Sequence, residues 1–306
     1  MTVLEVIQKS ADFLAKKGVD SPRLQVELLL AHLLKMPRMK LYLNFERTLT
    51  PQEIDELREL VKRRGQREPL QHITGSTSFC GLEITVNRHV LIPRPETELL
   101  AELGWQFLNQ LQTGNKESAI ALDFGTGSGC LAIALAAKSP AAIVTALDVS
   151  PEALGIAKQN AEANKILERI EFRQGDGFAA LLDSEGRVTR VPDQVGDSRS
   201  SSLPKQFDLI VSNPPYIASA EIATLQPEVR DHDPRLALDG GTDGLDFYRR
   251  LAAEAPAFLK PGGRLMLEFG DGQAADLQNI FAAQKWVVEG VKDDYSHRAR
   301  ILILRR

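Results

Sequence analysis

Ala119-Ile120-Ala121-Leu122-Asp123-Phe124-Gly125-Thr126-Gly127-Ser128-Gly129-Cys130 decides the fold. It opens as a short apolar strand, Ala119–Leu122, and passes through an acid and three glycines spaced two apart. It then feeds the run Cys130–Ala137, which opens a helix. A strand, a glycine loop and a helix start in succession make a nucleotide cradle. Glycine lets the backbone come close to a ligand, and the first helical turn carries free N–H groups.

A dinucleotide fingerprint needs Gly-x-Gly-x-x-Gly, and here Cys130 stands where its last glycine would be. Asp123 puts an acid where a pyrophosphate would sit, which is electrostatically wrong for such a ligand. It suits one bearing ammonium and sulfonium charge, such as S-adenosylmethionine. The candidate cofactor residues are therefore Asp123, Gly125, Thr126, Gly127, Ser128 and Gly129. Downstream, a second strand, Ile143–Leu147, is closed by Asp148, in the position from which a carboxylate accepts both ribose hydroxyls. A helix at Pro151–Ala163 and a third strand at Ile170–Phe172 lead to Asp176, expected near an adenine. This alternation predicts a parallel α/β sheet.

Asp183–Gln206, rich in Ser, Asp, Arg and Gly, reads as a surface insertion. The strand Phe207–Val211 after it ends in Asn213-Pro214-Pro215-Tyr216. Two prolines cannot continue a ladder and hold their neighbours extended, so this is a stiff elbow at the carboxyl end of a strand. Ligands of open α/β sheets bind there. The Asn213 side-chain oxygen and the Pro214 carbonyl form two adjacent acceptors, and Tyr216 adds a ring face. That set suits a flat –NH₂ group held for reaction at nitrogen. Beyond it come a long, lid-like loop at 217–244, a helix near 244–259 and a turn at Pro261-Gly262-Gly263. A strand at Arg264–Phe269, a helix near 273–284 and an antiparallel edge pair, Val287–Val291 with Arg300–Leu304, complete the pattern.

Upstream, amphipathic helices are expected over 2–17, from a Ser21 N-cap to Leu34, and from the capping box Thr50-Pro51-Gln52-Glu53 to Gly65. The domain reading is a helical bundle at 1–75 that docks substrate, a linking β-hairpin at 76–90 around Cys80-Gly81, and an α/β domain at 91–306. The last begins with the proline-locked Leu91-Ile92-Pro93-Arg94-Pro95-Glu96-Thr97-Glu98 and a helix to Leu111.

With 306 residues, 43% apolar, and a net charge of −4, the chain is globular and lacks the basic excess of a protein that grips duplex DNA. Its one dense basic cluster, Lys62-Arg63-Arg64 with Arg67, reads as a solvated helix end. Cys80 and Cys130 fall outside any metal spacing, so neither a metal nor a disulfide is expected. Met1-Thr2-Val3-Leu4-Glu5 lacks the basic-then-apolar order of a signal peptide, no apolar run approaches the length of a membrane span, and a cytoplasmic monomer is the expectation.

These stretches together resemble the HemK/PrmC family, the peptide chain release factor glutamine methyltransferases, nearly end to end. The marks are Arg67-Glu68-Pro69-Leu70-Gln71-His72-Ile73-Thr74-Gly75, the Ile92–Glu98 elbow, the glycine loop and Asn213–Tyr216. Further marks are Pro227-Glu228-Val229-Arg230-Asp231-His232-Asp233-Pro234-Arg235 and Leu238-Asp239-Gly240-Gly241. The resemblance implies a Rossmann-like, seven-stranded class I methyltransferase domain behind a small helical bundle. It also implies methyl transfer from S-adenosylmethionine to the glutamine amide of a release factor Gly-Gly-Gln motif, leaving S-adenosylhomocysteine. On the family pattern, Gly125 to Gly129, Asp148, Gly177 and Asn213 contact the cofactor, and Asn213, Pro214, Pro215 and Tyr216 hold the glutamine. Two related readings are a ribosomal-protein glutamine methyltransferase and a DNA or RNA adenine amino-methyltransferase. The chain departs from the pattern in three places. Gly177 stands where an aromatic or larger residue often stacks near the adenine, the insertion is long, and Asp294-Tyr295-Ser296-His297-Arg298 lacks the glycine usually found there.

Overall fold

The computed structural model describes residues 1–112, 118–182 and 206–306. All but Gln206 of the expected insertion therefore lies outside the described residues. Packing divides the chain into two units, Met1–Ser76 with Leu225–His232, and Thr77–Thr224 with Asp233–Arg306. This differs from the sequence expectation in two ways. The hairpin belongs to the larger unit, because Phe79, Ile84 and Val86 are buried in its core. A short piece of the long loop belongs to the smaller unit, for an electrostatic reason given below.

The smaller unit contains α1 (Val3–Lys16), α2 (Pro22–Leu33), α3 (Arg38–Tyr42), α4 (Pro51–Gly65) and α5 (Leu70–Thr74). Capping boxes start α1 and α4: Thr2 with Glu5, and Thr50 with Glu53. Ser21 does not cap α2 as expected. Its φ is 47° and its side chain makes no capping bond. The helices α3 and α5 are too short for a periodic signal. Glu27, 2% exposed on α2, anchors α3 by accepting hydrogen bonds from Arg38 at 3.0 Å and Tyr42 at 2.8 Å. Val6, Ile7, Leu29, Leu30 and Leu57 meet in the core.

The basic cluster is not a solvated helix end. Arg64 is 4% exposed, and its Nη2 lies 2.7 Å from Glu228 Oε1; Arg67 donates to both oxygens of Glu228, at 2.7 and 2.6 Å. These bonds tie residues 225–232 to the helices. The partner lies about 160 positions away, beyond the reach of any local reading.

In the larger unit, β1 (Ser76–Phe79) and β2 (Leu82–Thr85) form the hairpin, and α6 (Pro95–Gln112) follows. Then come β3 (Ile120–Phe124), α7 (Cys130–Lys138), β4 (Ile143–Asp148), α8 (Pro151–Ala163), β5 (Ile170–Gln174) and β6 (Phe207–Ser212). The remainder is α9 (Pro227–Arg230, packed with the smaller unit), α10 (Asp246–Glu254), β7 (Leu259–Glu268), α11 (Ala274–Ala283), β8 (Val287–Asp293) and β9 (Ala299–Arg305). The seven-stranded sheet has the order β5-β4-β3-β6-β7-β9-β8. Its neighbours are parallel except for β9, which runs antiparallel to β7 and β8.

Apolar residues on both faces explain why the parallel strands are buried. Ala121, Leu209 and Val211 join α6, α7 and α8 in one core layer. Leu122 and Ile210 join Tyr248 and Leu251 of α10 and Phe281 of α11 in the other. The turn expected at Pro261–Gly263 lies within β7 as a register break, between the pairs Phe207↔Leu259 and Leu209↔Arg264. From β3 the chain winds outward to β4 and β5 on one side and to β6 and β7 on the other. The topological switch therefore lies between β3 and β6, and a crevice opens at their carboxyl ends.

Candidate functional site

A cavity of about 400 Å³ occupies that crevice, within the size range of small-molecule sites. Gly125, Thr126, Gly127 and Ser128 line it from the loop after β3, and Asp148 from the end of β4. Asp176, Gly177, Asn213 and Pro215 line it from the ends of β5 and β6. Gly125 and Gly127 have φ of 78° and 54°, and a Cβ on either would enter open space. The backbone itself is therefore presented to the cavity. Asp148 holds the loop, with Oδ2 accepting from Gly127 N at 2.8 Å and Oδ1 from Ser150 N at 2.9 Å. Burial raises its pKa above the usual carboxylate value, and the Ser150 and Gly127 amides pull it back.

Four residues singled out in the sequence do not line the cavity: Asp123, Gly129, Pro214 and Tyr216. Asp123 is fully buried beneath the loop, where Oδ2 accepts from Thr126 Oγ1 at 2.6 Å and Ala132 N at 3.0 Å. Desolvation pushes its pKa up to about 7, against the pull of those two hydrogen bonds. The loop acid is thus a clamp that joins loop to helix, and the carboxylates at the cavity are Asp148 and Asp176. Gly129, with φ 82°, packs its α-carbon against α8, where a Cβ would come within 3.0 Å of Ala157 Cβ.

The Asn213–Tyr216 elbow is held at both ends. Before it, Ser212 donates its hydroxyl to the Phe124 carbonyl at 2.6 Å, tying the end of β6 to the end of β3. After it, Ile217 exchanges backbone hydrogen bonds with Leu238 and Gly240. The Tyr216 carbonyl accepts from Gln273 Nε2 at 3.0 Å. Gly244 is required at this point, since a Cβ there would lie 2.4 Å from the same oxygen.

Asn213 donates from Nδ2 to Thr97 Oγ1 at 3.2 Å. Thr97, 2% exposed, stands in the first turn of α6 directly after the proline-locked elbow, and it also hydrogen-bonds the Glu268 carboxyl. The register Ser212↔Leu267 sets Asn213 beside Glu268 on neighbouring strands. Burial raises Glu268 to about 7 against the Thr97 bond, while Glu96 raises it further and Arg300 and Arg94 lower it.

The arrangement brings an exposed glycine backbone, the Asp148 carboxylate and the Asn213 side-chain amide around one cavity. Among the described residues there is no cluster of His, Cys, Asp or Glu able to hold a metal, and no helix long and apolar enough to cross a membrane.

The PrmC N-terminal domain family matches residues 5–75. A release factor glutamine methyltransferase of Geobacter sulfurreducens is 43% identical over 92% of this chain and 88% of its own length. The chain belongs to the release factor glutamine methyltransferase family. Its counterpart from Chlorobaculum tepidum is 42% identical over 95% of this chain and 93% of that one. The ribosomal protein L11 methyltransferase family matches residues 102–229. Among solved structures, the hMettl16 catalytic domain in complex with a MAT2A 3'UTR hairpin has a TM-score of 0.50. It is 16% identical, covering 83% of this chain and 81% of that one, a likeness of fold.

For a member of this family, the sequence reading left three cavity features unassigned. Arg94 lines the cavity and pairs with buried Asp233 at 2.6 Å. Arg250, on α10, lines it next to Gly177. Thr97 and Glu268 back the elbow. A signal existed for Glu268, an acid ending the otherwise apolar run Leu265-Met266-Leu267. None existed for Arg250, one of two adjacent arginines on an ordinary amphipathic helix.

Proposed function

We propose that this protein transfers a methyl group from S-adenosylmethionine to the side-chain amide nitrogen of the glutamine in the Gly-Gly-Gln motif of peptide chain release factors, without a metal. Near-full-length identity to curated release factor glutamine methyltransferases carries the reading. The cavity chemistry supports it, with glycine backbone, the Asp148 carboxylate and the Asn213 elbow around one space.

S-adenosylmethionine supplies, when bound, an electrophilic methyl on a sulfonium. Gly125 to Ser128 would meet its polar end through the backbone, Asp148 the ribose hydroxyls, and Asp176 with Gly177 the adenine side. The substrate amide is a poor nucleophile because its lone pair is conjugated, as the barrier of about 18–20 kcal/mol to C–N rotation attests. Asn213 Oδ1 and the Pro214 carbonyl would accept its two N–H groups and aim the nitrogen at the methyl. As the nitrogen–carbon bond forms and the sulfur–carbon bond breaks, positive charge grows on nitrogen. Acceptors fixed in advance favour that charge, an oxyanion hole with its sign reversed, and one nitrogen proton is then lost to solvent. Pro215 would shape the wall against the amide plane, and Tyr216, packed against the core behind it, would hold the elbow in place. Alignment provides much of the remaining acceleration.

The test is to incubate the protein with methyl-labelled S-adenosylmethionine and, separately, a release factor, a ribosomal-protein substrate and duplex DNA. Label on the release factor supports the reading. Label on either alternative alone replaces it.

A further inference from the structure

We infer that Glu268, acting through Thr97, is a positioning residue that sets which atom of the Asn213 amide faces the substrate. This rests on the proposed methyl transfer to an amide and adds a control on its acceptor. Glu268 is 2% exposed at the end of β7, and its Oε2 is buried without a partner among the described residues. A buried carboxylate half without a partner costs stability, so its retention beside the elbow needs a reason.

The hydrogen count supplies one. Thr97 Oγ1 carries a single hydrogen. While Glu268 is ionised it can only accept, so that hydrogen points to Glu268. Thr97 can then only accept from Asn213, and the Asn213 amide must turn its nitrogen to Thr97, as it does at 3.2 Å. Oδ1 is thereby left for the cavity. If Glu268 is protonated, it can donate to Thr97, the threonine hydrogen is freed for Asn213 Oδ1, and the amide can flip. A flipped amide offers a donor where an acceptor is needed. The charged and titratable groups facing Glu268 are Glu96 and Arg94 beside Thr97, Arg300 on β9, Tyr216 on the elbow and Tyr248 on α10. Tyr248 donates its hydroxyl to the Glu268 backbone carbonyl at 2.8 Å, which fixes the residue's place.

The experiment compares wild type, Thr97→Val, Thr97→Ser and Glu268→Gln by kcat, by S-adenosylmethionine Kd and by pH profile. Thr97→Val should lose about tenfold to a hundredfold in kcat with Kd little changed, and Thr97→Ser should restore it. Wild-type kcat should fall as pH drops through about 7, and Glu268→Gln, whose amide oxygen still accepts, should lose that inflection. This comparison separates Glu268 from Asp123, which titrates in the same range. A Thr97→Val enzyme with wild-type kcat, or an inflection that persists in Glu268→Gln, would overturn the inference. A second readout does not depend on turnover. The isotope-labelled side-chain amide of Asn213 should shift in wild type as pH crosses about 7 and stay fixed in Glu268→Gln. If wild type methylates nothing, the proposed function fails while the amide signal still decides the positioning role. An amide that does not respond overturns it.

Discussion

A Cβ placed on Gly177 would lie 2.1 Å from Nη2 of Arg250. That guanidinium is held by Asp176, with Nη1 on the carboxylate at 2.5 Å and Nη2 on the backbone carbonyl at 3.0 Å. Gly177 has φ 66° and lines the cavity together with Arg250. The space beside Gly177 is filled by a planar cation from α10. Arginine stacks well on aromatic faces.

Arg250→Ala and Gly177→Ala should therefore each weaken S-adenosylmethionine binding, by roughly threefold to tenfold. Both remove the same guanidinium from the cavity, so the double variant should be no weaker than the worse single one. Calorimetric titration checks this. Additive losses, or unchanged Kd in Arg250→Ala, would remove Arg250 from the site.

Asn213→Ala should lower kcat by about 10²–10³ while S-adenosylmethionine Kd changes only a few-fold. Asn213→Asp should be milder, because a carboxylate still accepts. Single-turnover kinetics with a separate binding titration resolve the two quantities. Equal losses in both would make Asn213 a cofactor ligand and nothing more.

The ion pairs at Glu228 predict a pH-dependent stability. Burial would raise its pKa, but hydrogen bonds from Arg67 and Arg64 overcome that and bring it to about 2. The folded value lies below the unfolded value of about 4.3, so the contribution is complete above that pH and disappears as pH falls through 2. Glu228→Gln should cost about 1–3 kcal/mol at neutral pH, because it leaves the Arg64 charge buried with a weaker partner. Unfolding curves should show the gap between wild type and variant narrowing below pH 4.3. A gap that stays constant to pH 2 would mean the charge contributes little.

The turn at Asp294–Arg298 contains no glycine. Asp294 Oδ1 accepts from Ser296 N at 2.8 Å and Arg298 N at 3.0 Å, while His297 takes the left-handed region at φ 59°. That conformation costs a side chain about 1 kcal/mol that glycine avoids. His297→Gly should raise the melting temperature slightly by scanning calorimetry. A fall would show that the imidazole contributes packing that outweighs its backbone strain.

Much of this was legible because the signals are local. The glycine loop, the paired prolines after β6 and the capping box at Thr50 each specify a backbone shape within a few residues, and the structure forms each one. Pairings between distant residues were not. Arg64 and Arg67 read as a solvated cluster because their partner Glu228 comes from the far half of the chain. Asp123 read as a cavity acid because sequence places a residue along a loop and cannot say on which side of it the carboxylate lies. Thr97 and Glu268 are far apart in the chain; the packing of α6 brings the first to Asn213, and the sheet register brings the second.

The most direct test of the central claim is to locate the methyl group on the product. A release factor treated with the protein and S-adenosylmethionine would be digested and fragmented by mass spectrometry. A Gly-Gly-Asn variant of the factor would be treated in parallel. The account predicts a single methyl on the side-chain nitrogen of the Gly-Gly-Gln glutamine and none on the variant. A methyl on any other residue, or an unmodified factor in the presence of bound cofactor, would contradict it.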